Sequence, residues 1–422
     1  MQSFKMTFTS PVKIRVAYWG DSEEKKVIQR TVREWEKNHP GIKINLEHIP
    51  AYYTEKILGE IAGNVQPDII FCEANVFVTF FFKDVLLDMM PYIETDAEFH
   101  SDDYFPKIMQ RFTRDGRIYC IPRDVAPFAC VFYNKDMFKK ANIKIPVDSW
   151  GMNDFLNAAI KTTKDSAGKN PSDPGFQESK IVQYGFWGWT WTNFVYAFGG
   201  GVVNDINNPT QCVLNSKSSV KGLQFYVDLM NKYNVSPKPD ILSNMGVSSV
   251  QLFAMGKLAM LQSGIWETPA LRSLVSDKFE WDVAMFPKGP GGKRLIDSGG
   301  SGYAILKTTK HPKESWEVVK WLTGDRGQEF LAESGLAQPA NIRLASGSIW
   351  VGDNKKPNNK TMLNEAAKYM VFQPFHPAWR EVEVKLIPEI MHNVMRGDMS
   401  VKDGADQLTK RINMRLHYKS EK

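Results

Sequence analysis

The chain has 422 residues, and at about 100–200 residues per domain that length predicts two or three domains. Hydrophobic residues make up 43% and charged residues 24%, with a net charge of +6, which excludes a disordered or collagen-like chain. No block of five like charges exists, so a nucleic-acid arm is not expected. The longest apolar-aromatic stretch, Val76 to Phe82, is far short of the roughly 20 residues of a membrane helix.

Met1 to Pro11 holds no apolar run, so no secretory signal is expected within this chain. That leaves a cytoplasmic protein or one whose signal has been removed. The four cysteines, Cys72, Cys120, Cys130 and Cys212, are too few for a disulfide scaffold and form no CxxC. Four buried free thiols are expected, with Cys120 and Cys130 the one pair that could bridge if their strands pair.

The opening strand runs Lys13 to Trp19, with Ile14, Val16 and Tyr18 alternating against Lys13 and Arg15. Asp21 is placed to cap a helix, with Glu24 as the reciprocal half of a capping box. Ile28, Val32 and Trp35 recur at helical spacing until His39-Pro40-Gly41 ends the helix. Ile42, Ile44 and Leu46 then mark a half-buried strand. Helical residues near Tyr53 to Ile61 lead to Pro67-Asp-Ile-Ile-Phe71, short and apolar like a buried parallel strand. This order opens an α/β domain.

Two extended segments follow, Gly116–Pro122 and Phe128–Tyr133, joined by Arg123 to Pro127. A second α/β stretch has a helix from about Asn153, a loop at Asp165–Gly175, a strand at Ile181–Phe186 and a helix marked by Val220, Leu223, Val227 and Met230. Ser248 caps a helix ending at Gly256, and Leu258 to Leu261 reads as a strand. Near the end, Ile387, Ile390, Met391 and Val394 form one helical stripe; Val401, Ala405, Leu408, Ile412 and Leu416 form another behind Ser400 and Asp403.

Common catalytic signatures are missing. The turn Trp19-Gly-Asp-Ser22 lacks the glycines of a dinucleotide site, and there is no P-loop, no GxSxG elbow and no two histidines within five residues of each other. No cofactor and no metal site are expected. Tryptophan, by contrast, is abundant at twelve residues. Trp35, Trp281, Trp316 and Trp321 sit where a core needs them. Trp187, Trp189 and Trp191 are separated only by Gly and Thr, a pattern that packing explains poorly, and Trp266 and Trp379 stand at the ends of elements. A flat indole matches the C–H face of a pyranose ring; covering roughly 80–100 Å² of it contributes about 2 kcal/mol.

These segments, in this order, resemble an extracellular solute-binding protein of a carbohydrate ABC importer, the group related to maltose-binding protein. The resemblance rests on Tyr18-Trp19-Gly20, Asn38 to Lys43, Pro67 to Phe71, Gly116 to Pro122, Phe132 to Asp136, Phe253 to Trp266, Gly299 to Ile305 and the helix with Trp316 to Leu322. It implies a two-lobed α/β fold with a ligand cleft between lobes and a three-segment hinge near Arg123–Pro127, Asp297–Gly302 and Ala345–Val351. The lobes would be 1–124 plus 300–346, and 125–299 plus 347–422. It implies a non-catalytic, monomeric receptor for a sugar, an oligosaccharide above all, that delivers it to the membrane permease subunits of an ABC importer. The location would be periplasmic or extracellular, free or lipid-anchored.

By the same resemblance, Trp266 and Trp379 fall at aromatic stacking positions, with Trp189 or Trp191 near a third. Asp21, Ser22, Glu73 and Asn75 fall at polar contacts of the first lobe, and Gly299, Gly300 and Ser301 match a hinge loop whose backbone meets ligand; Glu267 adjoins Trp266 and joins this set. Cys72 stands where maltose-binding protein has a tryptophan, a departure that argues against maltose itself. Two alternatives stay open. The same fold could hold an anionic sugar, a glycerophosphodiester or a polyamine, with Arg123, Arg294, Arg343 and Arg380 available to clamp an acid. A glycoside hydrolase could use Glu73 and Glu267 as its carboxylate pair.

Overall fold

The computed structural model describes residues 11–352 and 355–417. The N-terminal segment read above for a secretory signal lies, but for Pro11, outside the described residues. The chain folds into two compact units: residues up to Val125 with Gly300–Ala345, and Ala126–Gly299 with the residues from Ser346 onward. It passes from one unit to the other three times, after Val125, Gly299 and Ala345.

The first unit is built on a five-stranded mixed sheet. Its order is Ile42–His48, Val12–Tyr18, Ile69–Glu73, Ser301–Ile305, Ile121–Pro122. The first three strands are parallel, and Ser301–Ile305 returns antiparallel to Ile69–Glu73, with Ser301 opposite Glu73. The apolar positions of the opening strand and of Ile69–Glu73 are buried, as a sheet covered by helices requires. Helix Ser22–Asn38 begins at Asp21, whose side chain accepts from the backbone N–H of Glu23 and Glu24. The expected capping box is not reciprocal: the Glu24 carboxylate is drawn inward to Arg123, a stronger partner than an exposed backbone amide.

The second unit carries its own five-stranded sheet, in the order Trp281–Met285, Cys130–Asn134, Leu258–Ser263, Ile181–Gly188, Lys164–Asp165. Ile181–Gly188 and Leu258–Ser263 are parallel, with Gly188 opposite Gln262. Cys130–Asn134 runs antiparallel to Leu258–Ser263, so its starting end lies beside the finishing end of that strand. Helices Met152–Thr162 and Lys217–Asn231 cover the sheet and the packing behind it. The caps at Ser248 and Ser400 form as the sequence predicts, the first as a full box with Gln251. All four cysteines are buried and free, Cys120 in the first unit and Cys130 in the second.

Candidate functional site

In the second unit the finishing ends of the parallel strands define the site. Strand Ile181–Gly188 delivers Trp187, Trp189 and then Trp191, the first residue of helix Trp191–Ala197. These three indoles share one cavity of about 560 Å³ with a fourth, Trp379, a volume typical of small-molecule sites. The three are not on one face of a single extended strand. The chain turns at Thr190, and the helix start brings Trp191 back to the same cavity. Trp189 is 40% exposed, while Trp379 is only 5% exposed and its Nε1 has no hydrogen-bond partner among the described residues.

The opposite wall is a helix running through residues 379–396. Trp379, Glu383, Ile387, Met391 and Met395 all face the cavity, each four residues from the last. An unbroken α-helix would rotate such a stripe by about 40° per step. Here Val382–Leu386 is a π turn, whose wider winding offsets that drift and holds Glu383 on the wall. Of the helical stripe read from the sequence, Ile390, Met391 and Val394 are buried and Ile387 is half-buried; its Ile387–Met391 step lies on the wall, but the stripe does not extend to Glu383 and Trp379.

A second aromatic group adjoins this cavity through Trp189. Phe128 lies 5.0 Å from Trp189 and 5.6 Å from Trp266, meeting the latter edge to face at 87°. Trp266 is half-buried and donates its Nε1–H to Glu267 Oε1 at 3.2 Å; Ser263 Oγ donates to the same oxygen at 2.9 Å. The indole folds back over Gly264, where a Cβ would come within 1.8 Å of Trp266 Cζ3, so only glycine leaves room for it. Fully buried Gln262 ties the loops together. Its Nε2 donates to Phe128 O and to Thr190 Oγ1, both at 2.9 Å, and its Oε1 accepts from Thr190 N at 3.2 Å. Asn193 Nδ2 adds a second donor to Phe128 O at 2.8 Å.

The cavity's charged groups are acids. Asp297 accepts from Thr192 Oγ1 at 2.6 Å and from Ser298 N at 2.9 Å. Burial pushes its carboxyl up to about 7; the two hydrogen bonds oppose this and the negative field of Glu383 adds to it. Glu383 accepts from Gln373 Nε2 at 2.6 Å and pairs with Arg380 at 3.0 Å.

The first-unit residues expected at the site gather at one sheet edge. Asp21 and Ser22 follow the opening strand, Glu73 and Asn75 end the neighbouring one, and Gly300 and Ser301 begin the strand antiparallel to it. Most already have structural work. Asp21 caps its helix, and Glu73 Oε2 accepts from Asn75 N at 2.8 Å and Val76 N at 3.1 Å. Gly300 has φ +133° and its carbonyl accepts from Ala74 N at 2.8 Å; Ser301 donates its N–H to Asp124 at 2.9 Å. Gly299, in the second unit, pairs with Ala126. Cys72 is buried in its strand.

The four arginines considered as acid clamps all have protein partners. Arg123 is buried between Glu24 and Asp124, and its guanidinium lies 4.4 Å over the ring of Phe71. Arg294 donates to Asp148 O at 3.1 Å, Arg343 pairs with Asp325, and Arg380 pairs with Glu383. The residues that sequence reading missed are Phe128, Asp297, Glu383 and Gln262.

A family model described as bacterial extracellular solute-binding protein matches residues 19–329. The arabinooligosaccharide-binding protein of Bacillus subtilis is 25% identical over 355 residues, covering 78% of this chain and 72% of its own. An ABC substrate-binding protein of Listeria monocytogenes, solved in complex with cycloalternan, superposes with a TM-score of 0.84 at 23% identity, over 97% of this chain and 100% of its own. The GacH receptor of Streptomyces glaucescens, solved unliganded and with acarbose, gives 0.79 at 19% identity, over 97% and 100%. These structures share the two-lobed α/β fold.

Proposed function

Because the chain belongs to the bacterial extracellular solute-binding protein family, we propose that it is a non-catalytic receptor. It holds an oligosaccharide on the indoles of its second unit and presents it to the membrane subunits of an ABC importer. One observation carries this reading: four tryptophans line a single cavity, where a packed core would need none of their separation by Gly and Thr. Three or more stacks at about 2 kcal/mol each exceed what one monosaccharide ring can use. The names of the relatives, with arabinooligosaccharide, cycloalternan and acarbose as ligands, support a saccharide of more than one unit.

The ligand is not an acid. No Lys, Arg or His is among the described residues that line the cavity, and the arginines that could have clamped an anion are paired within the protein, Arg380 with Glu383 of the cavity wall. Nor do the two carboxylates proposed for hydrolysis support catalysis. Glu73 holds two backbone amides and Glu267 orients Trp266, both positioning tasks. We place the protein outside the cytoplasmic membrane, as the family description supports; no helix among the described residues is long and apolar enough to cross a membrane.

A thermal-shift screen against di- to tetrasaccharides tests the reading, since a ligand of the native state raises the melting point. A saccharide that binds is expected to be recovered unchanged, to bind far better than its monosaccharide, and to lose roughly 30-fold in affinity, about 2 kcal/mol, in Trp189→Ala. Hydrolysis of the saccharide, or a monosaccharide bound as tightly as its oligomers, overturns it.

A further inference from the structure

A carboxylate buried in a protein needs a matching cation or takes up a proton, because desolvation otherwise opposes its charge. The first unit takes the first course: Glu24 and Asp124 share Arg123. Asp297 of the second unit does not. It is 7% exposed, lines the cavity, and has no Lys, Arg or His partner among the described residues. The groups that face it are Thr192 and the Ser298 amide as donors, Glu383 as a second acid, and the buried phenol of Tyr196. Glu383 already has Arg380 and Gln373; Asp297 has only neutral donors.

Four indoles line the same cavity, and the negative face of an indole attracts a cation most strongly where water is excluded. A bound ligand is where such a cation can come from. Building on the receptor reading above, we propose that the saccharide carries a protonated amine, an amino-sugar unit whose ammonium seats on Asp297 among the indole faces. A neutral sugar leaves Asp297 as it is in the empty site. An ammonium stabilises the carboxylate, and the proton that Asp297 held passes to the buffer. Burial has set that carboxyl at about 7, so binding at pH 6, where a sugar amine is already largely protonated and takes up little, releases most of a proton per site.

Titration calorimetry on the full chain tests this with matched probes: glucosamine oligomers of two to four units against cello-oligomers of the same linkage. An amine probe is expected to bind at least tenfold more tightly than its hydroxyl counterpart. That preference is expected to fall toward one in Asp297→Asn and to shrink with added salt. Proton release, read in two buffers of different ionisation enthalpy, needs no variant and covers the case in which Asp297→Asn fails to fold. Hydroxyl oligomers that bind as well as amine ones, or amine binding without proton release, overturn the proposal. If neutral oligosaccharides bind and no amine probe does, the receptor reading stands and this one falls; if neither class binds, both fall.

Discussion

The two units solve the same problem, a cluster of polar and aromatic groups at the finishing ends of a sheet, in opposite ways. In the first unit the cluster is closed upon itself. Trp19 stacks on Phe71 at 4.1 Å, Arg123 covers Phe71 at 4.4 Å, and Arg123 bridges Glu24 and Asp124. Asp124 in turn accepts from Ser301. In the second unit the aromatic groups stand around open volume, and among the described residues the buried acid has no cation. Internal satisfaction makes a rigid edge. Leaving the partners out keeps the second cluster open to the ligand proposed above.

The largest effect is expected where the closed cluster is opened. Burial disfavours the charge of Arg123, and Glu24 and Asp124 more than restore it. Arg123→Ala leaves two buried carboxylates without a cation and Phe71 without its cover. Breaking a buried pair in this way costs about 3–5 kcal/mol. Urea unfolding of the full chain is expected to show a lowered midpoint of that size. A loss under about 1 kcal/mol would mean that the cluster is hydrated and that the two units do not differ as described.

Much of the fold was legible, because hydrophobic period and caps are local signals. The strand at Ile42–His48, the stop at His39-Pro40-Gly41 and the cap at Ser400 all follow from residues a few positions apart. The site was legible only where composition broke the packing pattern. Trp187, Trp189 and Trp191 stand out among Gly and Thr. Phe128 does not, since it opens an apolar run that reads as core. Glu383 and the 379–395 stripe depend on a π turn, which no helical period reveals. Arg123 was read as a free clamp because its partner Glu24 is 99 residues away in sequence. Asp297, before Ser-Gly-Gly, reads as a turn residue; its burial comes from the fold around it.

The comparison is sharpened by a change that adds only a methyl group. Gly264→Ala places a Cβ within 1.8 Å of the Trp266 ring, so the indole must leave its seat against Phe128 and Glu267. Trp266 is half-buried, so the fold is expected to tolerate this with a cost of about 1–2 kcal/mol. Saccharide affinity is expected to fall by about 2 kcal/mol, matching Trp266→Ala, by calorimetry. Trp379→Ala is a poorer test: the residue opens a helix, at the end of an element as its sequence implies, but it is buried, so its truncation costs fold stability as well. Unchanged affinity in Gly264→Ala would remove Trp266 from the site.

The smallest expected effect concerns stability without ligand. The folded Asp297 carboxyl sits at about 7, above the 3.8 of an unperturbed aspartate, because burial disfavours its charge and Glu383 adds to the penalty. An acid raised on folding binds its proton more tightly in the native state. Stability therefore falls as pH rises from about 4 to about 7, and the loss is complete above that. Asp297→Asn removes the titration while keeping the shape. Its carbonyl still accepts from Ser298 N, and the Thr192 hydroxyl turns to accept from the new amide. At pH 5 the native wild-type group is still largely protonated, so only part of that loss has been taken. At pH 8 the variant is expected to be more stable than wild type by on the order of 1 kcal/mol or more, read from urea midpoints at the two pH values. The same substitution weakens amine binding, so a group that burdens the empty protein is the one that serves the ligand. A variant equally stable relative to wild type at both pH values would show that Asp297 is compensated within the fold, as Glu24 and Asp124 are.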